Sequence, residues 1–100
     1  MMQKAHSLIG QVHDPRNLRR AWISVRDNRG AGGVDRISID RFNQDHERYL
    51  AVLGQRLANG SYCPQPVRRV EIDKPGTKKK RPLGIPTVVD RVCQQALRQI

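Results

Sequence analysis

The chain has 100 residues, 37% apolar and 28% charged with four aromatic side chains, which suits one small domain, or a piece of a larger one, with a modest core. Nineteen Lys and Arg against nine Asp and Glu give a net charge of +10 and a pI near 10.8, so the partner expected is a polyanion, nucleic acid before an anionic membrane surface. No apolar run approaches the roughly 20 residues that span a bilayer, and "MMQKAHSLIGQV" lacks the apolar core and cleavage site of a signal peptide, so a cytoplasmic protein without a membrane partner is expected.

Residues 1–14 read as an N-terminal extension. Asp14 as N-cap and Pro15 at the first helical position then open a helix over 15–27, with Leu18, Ala21, Trp22 and Val25 at helical spacing. Its other face carries Arg16, Arg19, Arg20 and Arg26, either as a solvated surface or as part of a binding face. Gly30, Gly32 and Gly33 lie in a loop over 28–37 that can use positive φ or approach another backbone closely. The loop fits neither a Walker motif nor a dinucleotide fingerprint, leaving a plain interhelix connection or a loop lying over a ligand.

Ser38 or Asp40 caps the next helix, expected over 39–58, in which Ile39, Phe42, Tyr49, Leu50, Leu53 and Leu57 share a face until Asn59 and Gly60 stop it. Gly54 inside it suggests a close helix contact. Pro64 and Pro66 force extended backbone, and Val67, Val70 and Ile72 among charged neighbours predict a strand. A Pro-Gly turn at 75 and 76 and the return "RPLGI" complete a hairpin over 67–86, with Pro82 suited to an edge.

Thr87 with Asp90 reads as a capping box for a last helix over 88–100, whose apolar face takes Val88 or Val89, Val92, Cys93, Ala96, Leu97 and Ile100. No stop signal follows, as expected of a chain cut from a longer protein. The fold class is α+β, with N-terminal helices, a basic antiparallel hairpin and a following helix.

Charge concentrates late in the chain. Between Val67 and Arg81 lie Arg68, Arg69, Lys74, Lys78, Lys79, Lys80 and Arg81 against Glu71 and Asp73, a pattern that can follow a phosphate backbone or merely protect an edge strand. Base stacking is disfavoured as the binding mode, because only Tyr62 lies near the basic segment. Cys63 and Cys93 have no metal-knuckle or disulfide pattern and read as reduced, and His6, His13 and His46 do not join them at ligand spacing. No paired carboxylates and no nucleophile beside a base occur at a workable spacing, so the chain alone is expected to be catalytically inactive and to bind no metal.

Three blocks, "NLRRAWISVRDNRGAGGVDRISIDRF", "LANGSYCPQPVRRVEIDKPGTKKKRPLGIPT" and "DRVCQQALRQI", resemble the N-terminal region of group II intron-encoded reverse transcriptases and related bacterial retroelement enzymes over about residues 15–100. The resemblance implies the fingers of an RNA-directed DNA polymerase and maturase, truncated before a palm whose aspartates hold two Mg2+ ions. It implies that Lys74 and Arg81 reach the triphosphate of the incoming dNTP. Arg68, Arg69, Lys78, Lys79, Lys80, Gly84, Ile85 and Pro86 become contacts to template RNA. Asn28, Arg29, Gly30, Gly32, Gly33 and Asp35 become a lid over the template. "PGTKKKRP" carries one more basic residue than the commonest family pattern, so the triphosphate role stays open among Lys78 to Arg81. The partners implied are template or intron RNA, an RNA–DNA duplex and the palm and thumb of the same polypeptide; the apolar last helix adds a possible homodimer. A non-catalytic RNA-binding module or a degenerate retroelement remnant is the competing expectation.

Overall fold

Asp14 and Pro15 start the first helix as their chemistry dictates, the Asp14 carboxylate accepting the Arg16 amide at 2.8 Å and Pro15 taking the first turn. The computed structural model describes residues 10–73, 76 and 78–100. Helix α1 (Pro15–Asn28) is followed by α2 (Ile39–Gln44), α3 (His46–Asn59), strands β1 (Arg68–Asp73) and β2 (Lys80–Ile85), and α4 (Val88–Arg98). The architecture is α+β, with one two-stranded antiparallel sheet. Residues 1–9, Lys74, Pro75 and Thr77 lie outside the described residues.

The core forms where α1, α3 and α4 meet. Leu18, Ala21, Trp22 and Val25 of α1 are buried with Phe42, Leu50 and Leu53, and with Val88, Val92, Cys93 and Ala96 of α4. Gly54 lets α3 approach α1, since a Cβ there would lie 3.1 Å from the Leu18 Cδ1. Burial of one such aliphatic side chain contributes about 1.5–3 kcal/mol, so this small cluster carries much of the stability.

The single helix expected over 39–58 is broken at Asp45 (φ −138°, ψ 31°). In a straight helix, Phe42 and Tyr49 would be about 10.5 Å apart along the axis. The break brings their rings to 4.6 Å, stacked at 15°, while Trp22 packs on Phe42 at 4.5 Å. The polar run Asn43, Gln44, Asp45 weakens the helix where this aromatic stack bends it.

Helix α4 also departs from expectation. It stops at Arg98, and Leu97 and Ile100, expected on its buried face, are 54% and 45% exposed. The Gln99 side chain ties this end to α1, its Nε2 donating to the Asn17 Oδ1 at 2.8 Å and the Asn17 carbonyl at 3.1 Å. Asn17 is itself buried, and its Nδ2 donates to the Val12 and Ala96 carbonyls at 3.1 Å each. No helix among the described residues is long and apolar enough to cross a membrane.

Candidate nucleic-acid interface

The hairpin register pairs Arg68 with Ile85, Val70 with Leu83, Ile72 with Arg81, and on alternate positions Arg69 with Gly84, Glu71 with Pro82, Asp73 with Lys80. Directly opposed residues share a face and neighbours along a strand alternate, so these six pairs sort the charges. One face holds Arg68, Val70, Ile72, Arg81, Leu83 and Ile85, two cations and no acid. The other holds Arg69 and Lys80 together with Glu71 and Asp73, which balance them. Arg68 and Arg69, expected together, therefore lie on opposite faces, as do Ile85 and Gly84. Arg81 is exposed, as are Lys78, Lys79 and Lys80 at the turn end, and Gly76 takes positive φ (76°) in the turn. Lys74 lies outside the described residues.

The glycine loop adjoins the acid-free face. Arg68 Nη1 donates to the Gly32 carbonyl at 3.2 Å. Gly33 is buried flat against the segment that leads from β2 into α4: a Cβ there would lie 2.7 Å from both N and Cα of Thr87 and 2.9 Å from the Pro86 carbonyl carbon. Only glycine fits such an approach of two backbones. From α4, Arg91 donates to the Arg29 and Ala31 carbonyls. Asp35 closes a turn of the loop by accepting the Ile37 amide at 3.1 Å. Of the residues expected in the lid, Asn28 ends α1, while Arg29, Gly30, Gly32, Gly33 and Asp35 lie in this seated loop, with Arg29 exposed.

Arg29 and Arg36 are the non-glycine residues with positive φ among those described, at 57° and 61°. Such backbone costs about 1–3 kcal/mol per residue, so its clustering in one loop marks that loop as held by its surroundings. Both side chains are exposed, and Arg29 lines a cleft of about 190 Å3 with Arg91, Arg98, Asn28, Gln94 and Gln95.

Helix α4 begins on Thr87, whose Oγ1 accepts the Asp90 amide at 3.1 Å. The expected capping box is only half formed, because the Asp90 carboxylate turns instead to the Tyr62 hydroxyl and to the Gln65 amide at 3.0 Å. These bonds anchor the extended run that feeds β1. Burial, and then the Asp90 hydrogen bond, push the Tyr62 phenol far above its ordinary value, and burial pushes the Cys93 thiol up.

Sequence reading missed Arg91, Asn17 and Gln99. All three are polar residues with partners more than fifty residues away along the chain. Among the described residues no three His, Cys, Asp or Glu side chains come together to hold a metal ion.

No model of a protein family matches the chain. The chain is 40% identical over 82 residues, 80% of its length, to the group II intron-encoded protein LtrA of Lactococcus lactis subsp. cremoris, with the same values for strain MG1363. It is 35% identical over 92 residues, 90% of its length, to protein YkfC of Escherichia coli (strain K12). The chain spans 13% of the Lactococcus protein and 24% of the Escherichia protein. The resemblance to group II intron-encoded proteins is therefore shown over most of this chain and a short part of theirs.

Proposed function

We propose that this chain is the fingers portion of a group II intron-type reverse transcriptase and maturase, binding template RNA and the phosphates of the incoming dNTP in the cytoplasm. The observation that carries this reading is the sorting of charge on the hairpin, which supports a face with Arg68 and Arg81 and no carboxylate as the surface that meets phosphates. A cation in that position neutralises the triphosphate and releases counterions from RNA. The assignment shifts within the expected set: Arg68, Arg81 and Ile85 serve this face, Arg69, Lys80 and Gly84 lie on the opposite one, and Lys74, Lys78 and Lys79 remain contacts expected from the sequence. The loop from Asn28 to Asp35, seated against Pro86 and Thr87, then borders the template as a lid.

The two Mg2+ ions and the catalytic aspartates belong, on this reading, to a palm contributed by the rest of the polypeptide. Leu97 and Ile100 are the apolar surface that palm, or a second copy of the chain, would cover; a clean monomer in light scattering across concentration would exclude the second copy.

Template-primed DNA synthesis by the longest product of the reading frame tests the proposal. Arg81→Ala is expected to raise the dNTP KM or lower kcat. A reading frame without an Asp-Asp pair beyond Ile100 would instead favour the non-catalytic RNA-binding module.

A further inference from the structure

The glycine loop is gripped from the helix side by a residue that the hairpin reading does not use. Arg91 is on the first turn of α4, four residues after the Thr87 cap. Its guanidinium donates from Nη1 to the Arg29 carbonyl at 3.2 Å and from Nη2 to the Ala31 carbonyl at 2.5 Å. The two carbonyls flank Gly30, whose φ of +109° lets the chain curl around the fork; a Cβ at Gly30 would come within 2.9 Å of the Arg91 Nη1. Burial holds the Arg91 guanidinium below its ordinary value, and the charge of the Asp35 carboxylate partly offsets this. Planar, paired N–H groups suit two carbonyls at this spacing, and the compact ammonium of lysine does not reproduce them.

We infer that Arg91 is a positioning residue, a clasp that fixes the Arg29–Ala31 segment against α4 and so presents the exposed Arg29 and Arg36 side chains to an RNA backbone. The clasp stands on geometry alone. Its consequence for RNA rests on the proposed reading of the loop as a template lid. Arg68 bonds the same loop at Gly32 from the hairpin, so the loop is held between two elements whose ends meet at Thr87. The held Arg29 carbonyl keeps Arg29 in a backbone conformation that a free loop would abandon, and the turn at Arg36 follows from the same seated segment.

Hydrogen exchange of the Arg29, Arg36 and Ile37 amides in the 100-residue chain tests the clasp, since the Arg36 amide bonds the Gly33 carbonyl at 3.0 Å and the Ile37 amide the Asp35 carboxylate at 3.1 Å. Arg91→Ala is expected to speed exchange at these amides by roughly tenfold or more while the β1–β2 ladder keeps its protection, and Arg91→Lys is expected not to restore it. Loop exchange unchanged in Arg91→Ala, or fully restored by lysine, would overturn the clasp.

Should Arg91→Ala fail to fold, Gly30→Ala reads the same contact from the loop. In the Arg91→Lys background its Cβ no longer meets a guanidinium, so the two effects on exchange should be less than additive; simple additivity would overturn the proposal. The same variants titrated with an RNA hairpin at fixed low salt separate the two readings. Lost protection with roughly tenfold weaker binding supports both. Lost protection with unchanged binding supports the clasp and removes the lid.

Discussion

Gly33 lies flat on the backbone of Thr87, so close that a Cβ would come 2.7 Å from the Thr87 Cα. The contact joins the loop after α1 to the first turn of α4, and backbone atoms on both sides cannot step aside. Gly33→Ala should therefore lift the loop and cost about 1–3 kcal/mol in denaturant unfolding. Gly10→Ala, helical and with nothing within 4 Å of the new Cβ, should be neutral or stabilising by up to about 1 kcal/mol. Equal effects of the two would show that the loop is not seated.

Tyr62 and Asp90 make the second link, from α4 to the run that enters the hairpin. Tyr62→Phe leaves one oxygen of a buried carboxylate without its donor and should cost about 1–3 kcal/mol at neutral pH.

The same pair sets an alkaline limit. With the Tyr62 phenol raised by burial in the folded chain, the folded state holds its proton above pH 10.0 while the unfolded state releases its own. The folded state then binds more protons, so stability falls as pH rises. The contribution is fully present below the unfolded value of about 10 and is lost as pH climbs toward the folded one. Urea midpoints from pH 8 to 11 should decline less steeply in Tyr62→Phe than in the wild type, and parallel curves would contradict the assignment.

Cysteine labelling separates surface from core. Cys63 is exposed, whereas Cys93 is buried with a thiol pushed up by that burial. A thiol-disulfide reagent at mildly alkaline pH should modify Cys63 at once and Cys93 only at the rate of unfolding, since the thiolate is the reacting form. Two fast thiols would mean that α4 does not pack on the core as described.

Most of the scaffold was legible because local chemistry and tertiary contacts agree. Asp14, Ser38, Gly60 and Thr87 cap or stop the helices they were expected to, and Leu18, Trp22 and Val25 face the core. The break at Asp45 was not legible, because the apolar spacing continues through it and the stacking of Phe42 on Tyr49 that favours the bend is not encoded by that spacing. At the candidate site, the basic run of the hairpin was plain in the sequence. Its division into an acid-free and a balanced face needed the register, since a slip of one residue would exchange the faces. Arg91 and Asn17 were invisible for another reason. Each bonds carbonyls more than fifty residues away, Arg91 those of Arg29 and Ala31, Asn17 that of Ala96, and no pattern along a helix encodes such a partner.

The acid-free face of the hairpin is the centre of the account, and two adjacent residues test it. Arg81 lies on that face opposite Ile72, and Lys80 lies on the other opposite Asp73. Each alanine substitution removes one positive charge from the same strand, so net charge cannot tell them apart. Affinity for an RNA hairpin should be measured across a salt series for both variants. Arg81→Ala is expected to weaken binding and flatten the slope of log K against log salt by about 0.7–0.9, one phosphate contact, while Lys80→Ala stays near the wild type. Equal losses, or a larger loss for Lys80→Ala, would contradict the assignment of phosphates to the face shared by Arg68 and Arg81.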